Sequence, residues 1–151
     1  MMPTRPFTVR PAVPAELTDC ALFFCGVFNS APWNEHWTPE TSLQRLTDCM
    51  QTPGFLGLIA EDGAEIVALA FGYSQQYQGE RHYHLLEFCT AADRQGEGIG
   101  TALLEELHSR LRAEGIARIY TLTARDAPVQ DFYRKRGFYL SPKMVLMARR
   151  Y

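Results

Sequence analysis

The chain has no apolar run long enough to cross a bilayer. Its longest strongly apolar stretch, Ala21 to Phe28, falls far short of the roughly 20 residues a membrane helix needs. It has no excess of one charge. With 15 Lys and Arg against 17 Asp and Glu, the net charge is −2, so the field of the whole protein favours neither nucleic acid nor an anionic membrane. Any surface that holds a polyanion must be local. Cysteine is sparse: Cys20, Cys25, Cys49 and Cys89 form no Cys-x-x-Cys pair, and none has a histidine at metal spacing. Structural zinc needs about four clustered ligands, so no metal is expected and the thiols read as reduced and mostly buried. No apolar signal core follows Met1-Met2-Pro3-Thr4-Arg5-Pro6, which together with the thiols reads as a cytoplasmic protein. Internal repeats and low-complexity linkers are absent too. A length of 151 residues then suggests one domain, residues 1–151, around one core.

What is present is regular patterning. Phe7 to Arg10 reads as a strand stopped by Pro11. Leu17, Ala21, Phe24 and Phe28 recur at helical spacing. A loop with two tryptophans, Asn29 to Trp37, leads to a helix start in which Thr38 caps and Pro39 takes the first helical position. Leu43, Leu46 and Met50 form the buried stripe of that helix, and Pro53-Gly54 ends it. Strands follow at Phe55 to Ala60 and Ile66 to Tyr73, joined by an Asp62-Gly63 hairpin signal. A polar turn over Gln75 to Glu80 precedes a strand at Tyr83 to Thr90. Ile99, Leu103, Leu104, Leu107 and Leu111 define the next helix, closed by Gly115. A strand at Ile119 to Thr123, a short helix at Pro128 to Lys135 and strands at Phe138 to Leu140 and Met144 to Ala148 complete the order. This is an α/β or α+β pattern, with a largely antiparallel sheet and one βαβ crossover.

Between the strand at Tyr83 to Thr90 and the helix at Ile99 lies Arg94-Gln95-Gly96-Glu97-Gly98-Ile99-Gly100-Thr101. Three glycines at alternate positions let backbone approach a ligand closely, and a helix start favours an anion. A phosphate or pyrophosphate is the natural occupant. No Gly-x-x-x-x-Gly-Lys-[Ser/Thr] string exists, so a P-loop is not supported. The spacing Gly96-x-Gly98-x-Gly100 is not the dinucleotide Gly-x-Gly-x-x-Gly, and too few βαβ units remain for that fold.

Gln95-Gly96-Glu97-Gly98-Ile99-Gly100 resembles the [Gln/Arg]-x-x-Gly-x-[Gly/Ala] signature of the GNAT superfamily of N-acetyltransferases. Downstream, Phe132-Tyr133-Arg134-Lys135-Arg136-Gly137-Phe138 resembles that family's Phe-Tyr-x-x-x-Gly-Phe segment. The resemblance covers nearly all of the chain. Many relatives carry Asn-x-x-Ala ahead of the Phe-Tyr pair, where this chain has Asp126 and Val129. Pro32-Trp33-Asn34 is also similar to a run in aminoglycoside 6′-N-acetyltransferases and their relatives.

The resemblance implies a mixed, mostly antiparallel sheet of six to seven strands with about four helices. It implies acetyl-CoA as co-substrate, held by Phe88, Cys89 and Thr90 on the strand and by Gln95, Gly96, Glu97, Gly98, Ile99, Gly100 and Thr101 in the turn and helix start. Glu87 is the expected general base, since a carboxylate among Leu85, Leu86, Phe88 and Cys89 has a raised pKa; a solvent-facing carboxylate is the alternative. Plain strand alternation puts Leu85 and Glu87 on one face. Tyr133 is the expected general acid for the leaving thiolate, or else a core aromatic. Cys89 invites a covalent relay, but no histidine is placed to activate it. Arg94, Arg134, Lys135 and Arg136 meet CoA phosphates or are simply solvated. Trp33, Asn34 and Trp37, with Glu35 and His36 beside them, either line an acceptor pocket or staple two helices together. His84, one of a pair with His82, is expected at the acceptor site. The expected partner is a small-molecule or peptide amine, and a homodimer is left open. The rival reading is a catalytically silent CoA-binding sensor or interaction module of the same fold.

Overall fold

The computed structural model describes residues 5–125 and 127–151. They form two compact units that divide after Thr121. Asp126 lies outside the described residues.

The first unit holds a five-stranded sheet: β1 (Thr8–Pro11), β2 (Phe55–Asp62), β3 (Glu65–Tyr77), β4 (Glu80–Thr90) and β5 (Arg118–Thr121), in that spatial order. Pairings β1 to β4 are antiparallel, and β5 runs parallel to β4 after a crossover through a helix. Helices α1 (Leu17–Phe28) and α2 (Pro39–Met50) cover one face of the sheet, and α3 (Ile99–Ala113) makes the crossover. Thr38 and Thr41 exchange hydrogen bonds at the start of α2: the Thr41 N–H donates to the Thr38 hydroxyl at 3.0 Å and the Thr38 N–H to the Thr41 hydroxyl at 2.9 Å. Pro39 follows the cap, where its missing N–H costs nothing.

Strand parity sorts the core. Cys20, Ala21, Phe24 and Phe28 of α1 and Leu46 and Cys49 of α2 pack with Ile59, Leu69, Phe71 and Cys89. The alternate residues Leu58, Ala60, Ala68 and Ala70, with Tyr83 and Leu85, are equally buried and turn to the other face. There α3 buries Ile99, Leu103, Leu104, Leu107 and Leu111, the stripe its periodicity predicts.

One irregularity decides what the sheet can do. Phe71 pairs with Glu87 but Gly72 pairs with Leu85, so Leu86 is an extra residue in β4. This bulge reverses the parity of the strand. Leu85 therefore turns with Tyr83, while Glu87 follows Phe71 and Cys89 onto the α1–α2 face. Plain alternation, which kept Leu85 and Glu87 together, is corrected here. Gly72 permits the arrangement, because a Cβ there would overlap the His84 carbonyl and the Tyr83 ring.

The strands depart from the sequence pattern in two further places. β3 and β4 continue through the polar stretch read as a turn, leaving Gln78-Gly79 as the connection. Gln75 and Gln76 fit an exposed ladder, in which backbone pairing rather than apolar burial holds the strand. In the second unit, α4 (Ala127–Arg134) is present, but Phe138–Leu140 and Met144–Ala148 are not strands, so the described residues contain five strands rather than six to seven. Between those segments Ser141 Oγ accepts from the N–H groups of Lys143 and Met144 at 3.3 and 3.1 Å, a local turn.

Candidate active site

Glu87 is the centre of the arrangement. Its side chain is only 11% exposed, and Oε1 accepts a hydrogen bond from Arg45 Nε of α2 at 2.8 Å. Burial pushes the carboxyl above its ordinary value, against the pull of Arg45; the charge of Glu35 adds to the rise. Glu35 in turn accepts from the Trp37 indole N–H at 2.8 Å. Sequence reasoning missed Arg45. It sits beside the stripe of an amphipathic helix, where an arginine normally faces water, and no pattern distinguishes it.

His84 lies on the same face of β4, paired across to Tyr73. Its Nδ1 shares a hydrogen bond of 3.3 Å with the Tyr73 hydroxyl, and its ring stacks on Tyr120 of β5 at 4.7 Å. Burial first, and the Arg45 charge second, hold the imidazole pKa below its usual value, which leaves the ring neutral at neutral pH. Tyr73, Gln75, Gln76, Tyr77, His82, His84 and Tyr120 line a cleft of ≈60 Å3 on this face. His82 stacks on Tyr77 at 4.7 Å and meets Glu80 at 2.6 Å.

The two tryptophans close α1 onto α2. Trp37 packs edge-on to Phe24 at 4.8 Å and Trp33 tilts against Phe28 at 5.6 Å, both half-buried against the α1–α2 core. Asn29 accepts from the Trp37 N–H and donates to its carbonyl, each at 2.7 Å. Asn34 is exposed at a positive φ of 49°. The two tryptophans thus hold α1 and α2 together, and the charge of Glu35 is felt at Glu87.

Beyond Glu87, β4 continues through Phe88, Cys89 and Thr90. The β4–β5 ladder covers only His82 to Leu85, where Thr121 Oγ1 donates to the Leu85 carbonyl at 2.9 Å. Cys89 is buried in the α1–α2 core, and burial raises its thiol well above the usual range. A thiol so disposed is a poor nucleophile, which removes the basis for a covalent relay.

The glycine turn follows. Gly96 and Gly98 both adopt φ of 81°, and a Cβ at either would meet nothing within 4 Å. The requirement for glycine is therefore conformational rather than steric. Gly98 is the N-cap of α3, no side chain caps that end, and no acidic residue occupies its first turn, which Ile99, Gly100 and Thr101 begin. Gln95 precedes in an extended conformation. The side chain of Glu97 is committed elsewhere. Both its oxygens accept from Arg94 Nε at 3.0 Å, and Arg5 reaches it at 3.3 Å. Arg94 is 2% exposed and also bonds Asp62 at 3.0 Å. The fate of Arg94 is thus neither solvation nor a phosphate: its guanidinium ties the turn to the β2–β3 hairpin.

In the second unit, Tyr133 lies edge-on to Phe132 and Phe138, with ring centroids 5.3 and 5.1 Å away. The Phe138 N–H donates to the Tyr133 carbonyl at 3.1 Å, and Gly137 takes a φ of 90° past the helix end. Arg136 lies 3.8 Å over the Phe132 ring and donates to the Phe132 carbonyl at 2.7 Å; Arg134 reaches Gln130 at 3.4 Å.

Residues 20–138 match the model of the Acetyltransferase (GNAT) family. An L-methionine sulfoximine/L-methionine sulfone acetyltransferase of Pseudomonas paraeruginosa is 27% identical over 149 residues, covering 95% of this chain and 87% of the relative. Among solved structures, a soil-metagenome aminoglycoside acetyltransferase in complex with sisomicin matches with a TM-score of 0.75 at 15% identity, over 96% of each chain. A transcriptional regulator from Bacillus halodurans C-125 matches with a TM-score of 0.76 at 20% identity, over 95% of this chain and all of that one. These structural likenesses are of fold.

Proposed function

The chain belongs to the acetyltransferase (GNAT) family, and on that premise we propose that it moves the acetyl group of acetyl-CoA to a primary amine by direct attack in a ternary complex. The observation that carries this reading is the bulge at Leu86. It turns a half-buried carboxylate of raised pKa onto the same face as His84 and the aromatic cleft, just past the point where the β4–β5 ladder ends. The names of the relatives fit an amine acceptor: L-methionine derivatives and aminoglycosides both carry amines.

The chain's residues suit a CoA thioester as donor. Gly96 and Gly98 have open space around them, the α3 start has no capping side chain, and the charge of Glu97 is offset by Arg94 and Arg5. The backbone amides from Gln95 to Thr101 would hold the pyrophosphate against the helix dipole. The backbone of Phe88 to Thr90 would hold the pantetheine arm and donate to the thioester oxygen as charge gathers there. When bound, acetyl-CoA supplies an activated acyl carbon.

Glu87 takes a proton from the acceptor ammonium through its Oε2, directly or through a water. The amine nitrogen forms its bond to the acyl carbon as the carbon–sulfur bond breaks. The nitrogen loses its second proton to solvent as the amide forms, and Tyr133 is assigned the proton that the departing thiolate takes up, regaining it from solvent, so that one proton is released per acetyl group moved. No sulfur of the chain carries the acetyl group.

A screen of amine acceptors, followed by release of free CoA thiol, tests the activity. Replacing Glu87 with Gln should lower turnover by about 10² to 10⁴, the range for a lost general base, with acetyl-CoA affinity within a few-fold of the parent. Tyr133→Phe should lower turnover in the same direction. Unchanged turnover in both variants means that the assigned roles are wrong.

A further inference from the structure

The ion pair at the centre of the site is asymmetric in its use of hydrogen bonds. Arg45 spends one donor, Nε, on Glu87 Oε1. Its Nη groups have no hydrogen-bond partner among the described residues, and neither has Glu87 Oε2. Arg45 is 42% exposed, so its open edge can be reached from solvent. A guanidinium presents donors in a rigid fork matched to a carboxylate. The pair therefore offers a cationic edge and an anionic edge side by side, 2.8 Å apart at their contact.

We infer that the acceptor is a small zwitterion, an α-amino acid or close analogue, whose carboxylate is held by Arg45 while its amine faces Glu87. This rests on the acetyl-transfer reading above and names the substrate class for that site. An ammonium and a carboxylate on one carbon are the charge complement of a carboxylate and a guanidinium in contact. Other amines fit less well. A polyamine or polycationic sugar brings further ammonium groups against the Arg45 guanidinium, a like-charge contact that selects against it. A plain monoamine leaves the open edge of Arg45 unused.

The side chain of such an acceptor has a place to go. The cleft between Tyr73, Tyr77, His84 and Tyr120 lies on the same sheet face, and the charge of Arg45 is felt at His84. The aromatic rings of Tyr73, Tyr77 and Tyr120 line it, which suits an apolar side chain. His84, stacked on Tyr120 and bonded to Tyr73, forms an aromatic wall there. Neutral His84 adds no repulsion to the ammonium beside it.

The test compares L-leucine, L-methionine and L-glutamine with the primary amines left when each loses its carboxylate, and with spermidine. Acetylation is followed by CoA thiol release at saturating acetyl-CoA. The three amino acids should exceed their decarboxylated counterparts and spermidine in kcat/KM by about tenfold or more. Arg45→Gln should raise the KM for amino acids by about 10- to 100-fold, the range for a charge-assisted bond to a carboxylate, and collapse the ratio towards one. Arg45→Lys should restore part of the preference, and the KM for acetyl-CoA should stay within about twofold of the parent in both variants. Equal or faster acetylation of spermidine or the decarboxylated amines, or a preference that survives Arg45→Gln, overturns the inference while leaving acetyl transfer intact. A chain that binds no acetyl-CoA in calorimetry instead overturns the reading on which it rests.

Discussion

At Glu87 two effects of opposite sign meet. Burial on the α1–α2 face disfavours the ionised form, and Arg45 favours it; burial is the larger. The ionised base then appears as pH rises through a value higher than the group's ordinary one. The acid limb of kcat/KM is expected there, and Arg45→Gln, which deletes the hydrogen bond and the charge that hold the pKa down, should move that limb to higher pH. A limb that stays in place or moves down would assign it to another group. The same shift bears on stability. Between the unfolded and folded pKa of Glu87 the native state holds more protons than the unfolded state, so this group's contribution to stability falls as pH rises through that window. The chemistry of Glu87 was legible in the sequence, because an acidic residue inside an apolar strand is conspicuous. Its direction was not. One extra residue, Leu86, reverses parity, and nothing in Leu85-Leu86-Glu87 marks which residue is the extra one. Arg45 was illegible for a different reason: its partner is 42 residues away, and its own neighbourhood on α2 is ordinary.

Among the elements, the turn before α3 combines two devices. Gly96 and Gly98 supply left-handed backbone, and Arg94 fastens the turn to Asp62 and Glu97 from a buried position. Replacing Gly98 with Ala should cost about 1–2 kcal/mol of stability from left-handed strain alone, although a Cβ there meets nothing. Thermal or denaturant unfolding reads that loss, and calorimetry on the folded variant should show weakened acetyl-CoA binding. Unaltered stability and binding would mean that the turn does not need its left-handed geometry. Helices α1, α2 and α3 were readable because each carries a continuous apolar stripe, and α2 because Thr38-Pro39 announces its start. The ends of β3 and β4 were not readable, since Gln75, Gln76, Glu80 and Arg81 are paired through backbone with their side chains largely in water. The segments from Phe138 onward show the converse. Their apolar residues satisfy the pattern of strands, yet pattern alone supplies no partner; Val145 and Met147 are 82% and 85% exposed.

For the molecule as a whole, composition excluded more than it identified. No helix among the described residues is long and apolar enough to cross a membrane. The near-neutral charge confines any anion site to a local feature, and the α3 start is such a feature. The family is shared along residues 20–138, and the fold also occurs in a protein described as a transcriptional regulator, so fold by itself does not separate an enzyme from a silent CoA-binding module. That separation rests on Glu87 and its neighbours. What precedes any turnover is possession of the donor, and the most direct measurement is calorimetric titration of the full chain with acetyl-CoA and, separately, with NADH. Saturable binding of one acetyl-CoA per chain, with no heat from NADH, is the predicted result; binding of NADH without acetyl-CoA would contradict the account.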